Sequence, residues 1–591
     1  MNRRSLAWLF VFTLVVAAGC GHVSKNMGGG EKPPDKAIPD CVKAGDQTEK
    51  GDILAAGCYT LSRPGERAKR RDLFFAGEYD FIRKRRGNNW PPVAPEQGRP
   101  ADLVGLALSG GGMRANAFHL GILSGLYETP IPGSNEKNKN LLDRVDYISS
   151  VSGGTWALAA YLFNDDRCDG TTIFRRCAGC GAINDRVPHF LVNRQGEMHR
   201  ENWRKEIGHD FVAGSNYQYS ELPDLAFLDS KPYFIINATH SAMSRETGSE
   251  RNFNFQFTRD SLGTVVDCLS ETGKTLCGQA RKFRWLSLGQ GLGTGFFVNN
   301  PKGGKGGFDL LVNDFLQGSE FNREIHVADI LAASSAVVDK LYGSYLKVEP
   351  KGGCDRHWYE KNRIRSQYRL SDGGKSENIG VLSLVERGVQ IIVASQIAED
   401  VHHLNHWWEK EKRLGPEFGD LDMLTDQIET LFGYAIGPKK KEPDLRENES
   451  NTEAIETGIK KGEIIVQSIY RKKSDDTPAG KILFVKPTYD NIEGFKDWLK
   501  EERKQSADPD HNLYADMIRA IKKDEEEYNS KKGDYLTRHS SRFPQNPTFC
   551  DEYDMDLIRA YYLLGRYIVR KKETGLGNMI LEEVGLSDPK K

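Results

Sequence analysis

The sequence has almost no excess of either charge. Its 82 lysines and arginines are balanced by 83 aspartates and glutamates, and the formal net charge at pH 7 is −1. A chain that binds nucleic acid through its overall charge carries a strong positive excess, so we expect no nucleic-acid partner. One short basic run, Arg83-Lys84-Arg85-Arg86, is typical of a solvated helix face, with contact to anionic lipid head groups as the alternative.

The N terminus lacks an apolar run long enough to span a membrane. The segment Leu6–Val16 is apolar and follows the basic start Met1–Arg4, but a spanning helix needs about 20 such residues. This pattern predicts a cleaved signal over residues 1–19. The small residues directly before Cys20 resemble the lipobox of bacterial lipoproteins, which implies cleavage before Cys20 and its acylation. Gly21 favours anchoring at the outer membrane of the cell envelope, facing the periplasm or the exterior; an ordinary secretory signal with a chance cysteine is the alternative.

The chain has ten cysteines. Acylation of Cys20 would leave nine of the ten in an oxidising compartment. Two pairs are near enough in sequence to be candidate disulfides, and three more cysteines form a cluster: Cys41/Cys58, Cys268/Cys277, and Cys168, Cys177 and Cys180. A zinc site in the cluster would need a fourth ligand, which the sequence does not place, and the connectivity stays open.

The chain of 591 residues, 38% of them hydrophobic, is long enough to bury a large core. Length alone suggests two to four domains, although α/β enzymes with insertions often form one. Composition and pattern divide the chain into the signal (1–19), a flexible tether (20–40), an N-terminal extension with one helix at 66–86 (41–100) and a main domain (101–591). Two insertions interrupt the main domain, at about 165–220 and at the charge-rich segment 438–462.

A glycine-rich turn opens the main domain. The apolar run Leu103–Leu108 predicts a buried strand, and helical spacing resumes after Ser109 and three glycines. Glycines at this place leave backbone amides bare at the positive end of the helix, where they favour a negative charge. The charge is either the phosphate of a cofactor or an oxyanion that exists only during a reaction.

A second sharp turn places Ser152 between a short buried strand and a helix over 156–163. A nucleophile elbow requires this placement, because it exposes the hydroxyl and points the next amide at the reaction centre. The usual Gly-x-Ser-x-Gly pattern has Ser150 in its first position here and Gly154 in its last. A glycine-rich turn without chemistry is the alternative.

A carboxylate follows in the second half of the chain. A short strand ends at Asp372, and Gly373-Gly374 let the backbone turn around it. A carboxylate at the end of a strand is placed to serve as a base; an Asp-Gly turn without chemistry is the alternative. The small-residue segment Asp329–Ala336 predicts a helix suited to packing tightly beneath a site.

Two other chemistries fit the turns less well. Gly110-x-Gly112-x-x-Ala115 satisfies a loose dinucleotide fingerprint, but the acidic residue expected about twenty positions later is missing. No Lys-Ser or Lys-Thr follows the glycines, so a P-loop is excluded. Histidines offer no clear base: His119 falls within the first helix, where we expect it to pack or cap. The set His402, His403 and His406 has metal-like spacing, but the neighbouring tryptophans favour a structural or surface role.

Three segments together resemble the patatin-like phospholipases and the related cytosolic phospholipases A. The first motif is Ser109–Arg114 (Ser-Gly-Gly-Gly-Met-Arg), the second is Ser152–Trp156 (Ser-Gly-Gly-Thr-Trp), and the third is Asp372–Gly374. Asn378-Ile-Gly-Val and the late run Phe543–Thr548 also look like bacterial members. The resemblance covers about residues 100–570, in the same order.

The resemblance implies an α/β fold in which helices flank a central, mostly parallel sheet. It implies a phospholipid or lysophospholipid acyl-ester hydrolase with a Ser152–Asp372 dyad, without a cofactor or a catalytic metal. The amides of Gly110, Gly111 and Gly112 would hold the oxyanion, and Arg114 would brace the loop or meet a lipid phosphate. The alternative is an inactive protein of the same fold that serves as a lipid-binding or envelope scaffold.

Overall fold

The computed structural model describes residues 75–87, 102–132, 139–163, 217–243, 250–264, 296–299, 308–309, 311–314, 319–322, 325–335, 346–350, 368–397, 424, 427–428, 435–436, 465–470, 479–487, 492–505, 511–531, 543, 555–571 and 575–586. The predictions for the signal, Cys20, the tether, the candidate disulfides, the insertion at 438–462 and the histidines His402, His403 and His406 lie outside these residues. So does most of the insertion predicted at 165–220.

The helices, named in chain order, are α1 (Ala76–Arg86), α2 (Gly112–Glu128), α3 (Leu141–Arg144), α4 (Gly153–Leu162), α5 (Val327–Ser334), α6 (Leu382–Glu386), α7 (Ile492–Gln505), α8 (His511–Lys531), α9 (Met555–Arg570) and α10 (Leu576–Glu583). Short 3₁₀ turns lie at Tyr219–Asp224, Ala226–Ser230 and Gly373–Lys375.

The strands, also in chain order, are β1 (Val104–Leu108), β2 (Tyr147–Val151), β3 (Tyr233–Met243), β4 (Glu250–Thr258), β5 (Ser261–Thr264), β6 (Phe296–Asn299), β7 (Phe308–Asp309), β8 (Leu311–Asp314), β9 (Ser319–Asn322), β10 (Leu346–Pro350), β11 (Tyr368–Asp372), β12 (Ile391–Ser395), β13 (Ala435–Ile436), β14 (Ile465–Tyr470) and β15 (Gly480–Val485).

Five parallel strands form the centre of the large sheet, in the order β15-β12-β1-β2-β3. Every residue of β1, β2 and β12 is buried, as expected for parallel strands that are covered on both faces. The predicted α/β fold with a mostly parallel centre is confirmed. Antiparallel strands extend the sheet on both sides, and β11 pairs antiparallel with β3.

Helices cover both faces of this sheet. Along β1, Leu106 and Leu108 belong to one apolar cluster together with residues of α2, α4 and α9, whereas Ala107 belongs to a second cluster with residues of α1 and α6. Successive side chains of a strand point to opposite faces. The two clusters are therefore the cores on the two sides of the sheet.

The helix that follows the glycine-rich turn is held by the C-terminal helix α9. A side chain on Gly121 of α2 would overlap the carbonyl oxygen of Tyr562, and one on Gly565 would overlap that of Phe118. The two backbones are thus closer than larger residues would allow. At the end of α2, Glu128 accepts hydrogen bonds from Arg566 at 2.8 Å and from Arg570 at 3.1 Å.

Helix α1 of the N-terminal extension is attached to the second core through charged residues. The buried Arg387 donates to Glu78 from Nε at 2.6 Å and from Nη2 at 2.9 Å. The basic run is only half solvated: Arg86 is buried and pairs with Asp146, and Arg85 donates to the carbonyl of Val145 at 2.7 Å. Contact of this run with lipid head groups is therefore disfavoured, since two of its four side chains already hold the helix in place.

Among the helices described above, none combines the length and the apolar content that crossing a membrane would require.

Candidate active site

The glycine-rich turn between β1 and α2 is fixed to the neighbouring strand β12. Ser109 donates its amide to the carbonyl of Ser395 at 3.2 Å, and its hydroxyl accepts the amide of Ile397 at 3.0 Å. Gly111 and Gly112 have φ angles of 137° and 63°. Residues that carry a Cβ atom rarely adopt such φ angles, so the turn requires glycine at both positions.

The three glycine amides of this turn differ in what they contact. Gly110 donates its amide to the carbonyl of Asn378 at 2.9 Å. The amides of Gly111 and Gly112 donate to no acceptor within the described part of the chain. They lie at the N-terminal end of the 17-residue helix α2, where the helix dipole favours a negative charge.

Ser152 occupies the sharp turn between β2 and α4 with φ 48° and ψ −121°. Such a backbone in a residue other than glycine costs about 1–3 kcal/mol and persists only where the surroundings enforce it. A side chain on Gly153 would overlap the carbonyl oxygen of Gly112. The starts of α2 and α4 therefore touch, and both helix N termini meet beside the serine.

Asp372 ends β11, and its Cα pairs with that of Ala238 on β3. Ser152 donates its hydroxyl to Oδ2 of Asp372 at 2.9 Å. The other oxygen, Oδ1, accepts the amide of Gly374 at 2.8 Å. The two side chains are 6% and 5% exposed, and a hydrogen bond shielded from water in this way is stronger than one in bulk solvent.

The structure brings the glycine-rich turn to the same place. A Cβ built on Gly110 would lie 3.2 Å from the Cβ of Ser152, and it would overlap Oδ1 of Asn378. Ser152, Asp372 and the turn therefore share one site, although 220 residues separate the serine from the aspartate in sequence. A hydroxyl beside a carboxylate, with bare amides nearby, can perform nucleophilic attack on an ester carbonyl.

Two polar residues of α2 stand apart from this chemistry. Arg114 is fully buried and therefore not exposed to a lipid phosphate in this structure, and the bracing role stays a prediction. His119 is also fully buried, and burial lowers its pKa from 6.5 to about 3. A neutral, enclosed imidazole agrees with the expected packing role of His119.

Sequence reasoning assigned no role to four described residues around the dyad: Asn378, Ser334, Asn237 and Thr155, of which all but the half-exposed Asn378 are buried. Asn378 and Thr155 lie within motifs that carry the resemblance, and Ser334 lies in the small-residue segment expected to pack beneath a site, whereas Asn237 gave no signal beyond that of its strand. Within the described residues, no group of three or more His, Cys, Asp or Glu side chains is placed to hold a metal ion.

Residues 106–270 match the family model for patatin-like phospholipases. This segment contains the turn from Ser109 to Arg114 and also Ser152, but it ends before Asp372. The resemblance is confirmed over residues 106–270, which contain the first two motifs, and the chain carries a patatin-like phospholipase segment there.

Curated relatives share short parts of the chain. A phospholipase B of Cryptococcus neoformans is 31% identical over 179 residues, which are 28% of this chain and 27% of that protein. Human cytosolic phospholipase A2 gamma is 40% identical over 65 residues, 11% of this chain and 10% of that protein. The chain thus spans about a quarter or less of the length of these relatives.

Among solved structures, human GIVD cytosolic phospholipase A2 is similar with a TM-score of 0.44 and 14% identity, covering 90% of this chain and 66% of that one. The same enzyme with methyl gamma-linolenyl fluorophosphonate and terbium chloride gives a TM-score of 0.41 and 13% identity, covering 90% and 66%.

Proposed function

We propose that this chain, which carries a patatin-like phospholipase segment, is a serine hydrolase that cleaves the acyl esters of phospholipids or lysophospholipids. One observation carries the proposal: the 2.9 Å hydrogen bond from the Ser152 hydroxyl to Asp372, beside the helix N terminus of the glycine-rich turn. The named activities of the relatives, phospholipase B and cytosolic phospholipase A2, support the choice of substrate class.

In the acylation step, Oγ of Ser152 attacks the ester carbonyl carbon while its proton moves to Oδ2 of Asp372. A serine hydroxyl is a weak nucleophile without such a base. The tetrahedral intermediate then collapses, the ester bond to the glycerol oxygen breaks, and that oxygen takes the proton from Asp372. The products of this step are an acyl-serine and the freed alcohol of the head-group part.

In the deacylation step, water takes the place of the alcohol. Asp372 accepts a proton from the water as its oxygen attacks the acyl carbonyl carbon. The second tetrahedral intermediate releases the fatty acid, and the proton on Asp372 returns to Oγ of Ser152. Both half-reactions thus use the same base in opposite directions, as microscopic reversibility requires.

The oxyanion of both intermediates is held by the amides of Gly111 and Gly112. Gly110, the third glycine expected to donate, is already bonded to Asn378, so it shapes the turn instead. One oxyanion donor is worth about 3–4 kcal/mol of barrier. Two such donors at the end of α2 are a large part of the catalysis.

The N terminus would place this hydrolase at its substrate. The proposed acylation of Cys20 and the tether at 20–40 would attach the chain to the outer membrane of a bacterial envelope. An acyl chain buries itself in the bilayer at about 0.8 kcal/mol per CH₂ group. A hydrolase attached in this way needs no separate membrane-binding module to reach phospholipids.

A fluorophosphonate probe tests the proposed hydrolase. The probe should label wild-type protein at Ser152. Ser152→Ala and Asp372→Asn should both lower the esterase rate by about 10³-fold or more, as for members of other catalytic constellations. Asp372→Asn is the sharper variant, because an amide oxygen can still accept from Gly374 while the base is gone.

Ser230→Ala serves as the matched control, since Ser230 is exposed and far in sequence from the three motifs. Full esterase activity in Ser152→Ala, or labelling of a different residue, would refute the proposal. A wild-type protein that binds phospholipid but takes no label would instead support the scaffold alternative.

A further inference from the structure

The hydroxyl of Ser334, the last residue of α5, lies directly behind the elbow. Ser334 is fully buried, and its Oγ accepts the backbone amide of Ser152 at 3.2 Å. The same Oγ donates to the backbone carbonyl of Asn237 at 2.6 Å. It also lies 2.9 Å from Oγ1 of Thr155.

These three contacts use the whole bonding capacity of the hydroxyl. A serine hydroxyl has one proton to donate and two lone pairs that accept. Because the Ser334 proton goes to Asn237, Thr155 is the donor in its contact with Ser334, and Oγ of Ser150, 3.2 Å from Oγ1 of Thr155, competes for the same proton. The Ser334 hydroxyl therefore has one fixed orientation and links the elbow, α4 and β3.

The link matters because the backbone of Ser152 is strained. At φ 48° and ψ −121°, relaxation of the turn would swing Oγ away from Asp372. The amide of Ser152 is the backbone group nearest to that strain, and Ser334 holds it. Release of this amide would remove a direct restraint on the direction of the nucleophile.

The other end of the link reaches the aspartate. Asn237 pairs with Val151 at the end of β2 and precedes Ala238, the partner of Asp372. A side chain on Gly373 would overlap the carbonyl oxygen of Asn237. The same carbonyl that accepts from Ser334 is thus packed against the turn that follows Asp372.

We propose that Ser334 is a positioning residue that holds the strained Ser152 backbone in register with Asp372. The inference rests on the proposed hydrolase function and deepens it. Ser334 touches neither substrate nor the reacting atoms, so its effect passes through Ser152. Its loss should lower the rate of attack on the carbonyl and leave substrate binding nearly unchanged.

Ser334→Ala should lower kcat on a soluble ester by about 10- to 100-fold, the range expected when a reacting group is misplaced by up to about 1 Å. KM should change by less than about threefold, because uniform binding is untouched. The rate of fluorophosphonate labelling of Ser152 should fall by the same factor as kcat/KM, since both report attack by the same oxygen.

Ser335→Ala is the matched control. Ser335 is the neighbouring buried serine; its Oγ accepts from Trp156 at 3.1 Å and donates to Leu331 at 2.8 Å. The control removes a similar buried hydroxyl that does not touch Ser152. If it lowers kcat and labelling as much as Ser334→Ala does, the role of Ser334 is only structural and the inference fails.

Ser334→Cys covers the case in which the alanine variant does not fold. A thiol is close in size to a hydroxyl but is a weak donor and acceptor. The kcat of Ser334→Cys should therefore lie between those of wild type and Ser334→Ala. If Ser334→Ala does not fold, the kcat of Ser334→Cys should still be well below that of wild type. Wild-type labelling separates the two proposals. If wild type takes no label at Ser152, the proposed function fails; if it does and both Ser334 variants keep kcat within twofold, the positioning role alone fails.

Discussion

Each oxygen of the Asp372 carboxylate has its own partner. Oδ2 accepts from the Ser152 hydroxyl, and Oδ1 accepts from the amide of Gly374. In a three-residue constellation, a third side chain orients the base. Here the Gly374 amide helps to fix the plane of the carboxylate of the proposed base.

His119 gives the protein a specific sensitivity to acid. Its pKa is lowered from 6.5 to about 3 because burial disfavours the charged imidazolium. Below pH 6.5 the unfolded chain takes up a proton at this residue and the folded chain does not. Stability that is fully present above pH 6.5 is therefore lost progressively as the pH falls toward 3, by about 2 kcal/mol at pH 5.

The comparison of wild type with His119→Gln isolates this effect, because other buried groups titrate equally in both. Urea unfolding at pH 7 and pH 5 should show that the variant loses about 2 kcal/mol less than wild type on acidification. The variant itself is expected to be less stable at pH 7, and only the difference between the two pH values is used. Equal losses in the two proteins would show that the folded state protonates His119.

At the scale of elements, the parallel centre of the sheet could be read from the sequence. The run 103–108 predicted a strand found at Val104–Leu108, and the helix expected after the glycines is found at Gly112–Glu128. Buried parallel strands are continuous apolar runs, so local sequence is sufficient to predict them.

Helices α7 and α8 were not predicted, because charged residues dominate them. Their apolar residues are buried by contacts with residues distant in sequence. For example, Phe495 stacks on Phe543 with ring centroids 6.2 Å apart.

The site shows the same division between local and long-range information. Ser152 and Asp372 could be found because each needs a local turn with its own glycines. The role of Ser334 could not, because it depends on a contact across 182 residues. The engagement of the Gly110 amide was likewise hidden, since its acceptor Asn378 belongs to the loop that follows β11.

Two buried ion pairs help to attach α1 to the rest of the domain, Arg86 with Asp146 and Glu78 with Arg387. Burial raises the pKa of Glu78, while Arg387 opposes this by favouring the carboxylate. Glu78→Ala would leave the guanidinium of Arg387 buried without its main partner, which should lower the free energy of unfolding by about 3–5 kcal/mol. Urea unfolding at pH 7 measures this loss.

Asp80→Ala is the control on the same helix. Its pair with Arg83 is exposed, with side chains 59% and 42% accessible, and such a pair is worth about 1 kcal/mol or less. If Glu78→Ala costs no more than Asp80→Ala, helix α1 is not held by the pair of Glu78 with Arg387. Replacing Glu78 and Arg387 together with Leu and Met should recover part of the loss, because the desolvation of two charges is then avoided.

For the whole molecule, catalysis and attachment to the membrane are expected to be separable. The proposed dyad and the residues that support it belong to the described residues from β1 onward, whereas the proposed anchor is Cys20, in a segment rich in Gly, Lys and Pro that continues to residue 40. The anchor would therefore raise the local concentration of enzyme at a bilayer without altering the chemistry.

Cys20→Ser tests this separation. Wild type grown with an alkyne fatty acid should carry the label and sediment with membranes, and the variant should do neither, because the acyl attachment point is gone. Hydrolysis of phospholipid vesicles should fall about tenfold or more in the variant, since a single surface contact without the lipid binds weakly. Hydrolysis of a soluble ester should be unchanged, as the dyad is intact. An unlabelled wild-type protein that is secreted in soluble form would show that the N terminus is an ordinary signal, and the hydrolase would then have to reach its substrate through its own surface.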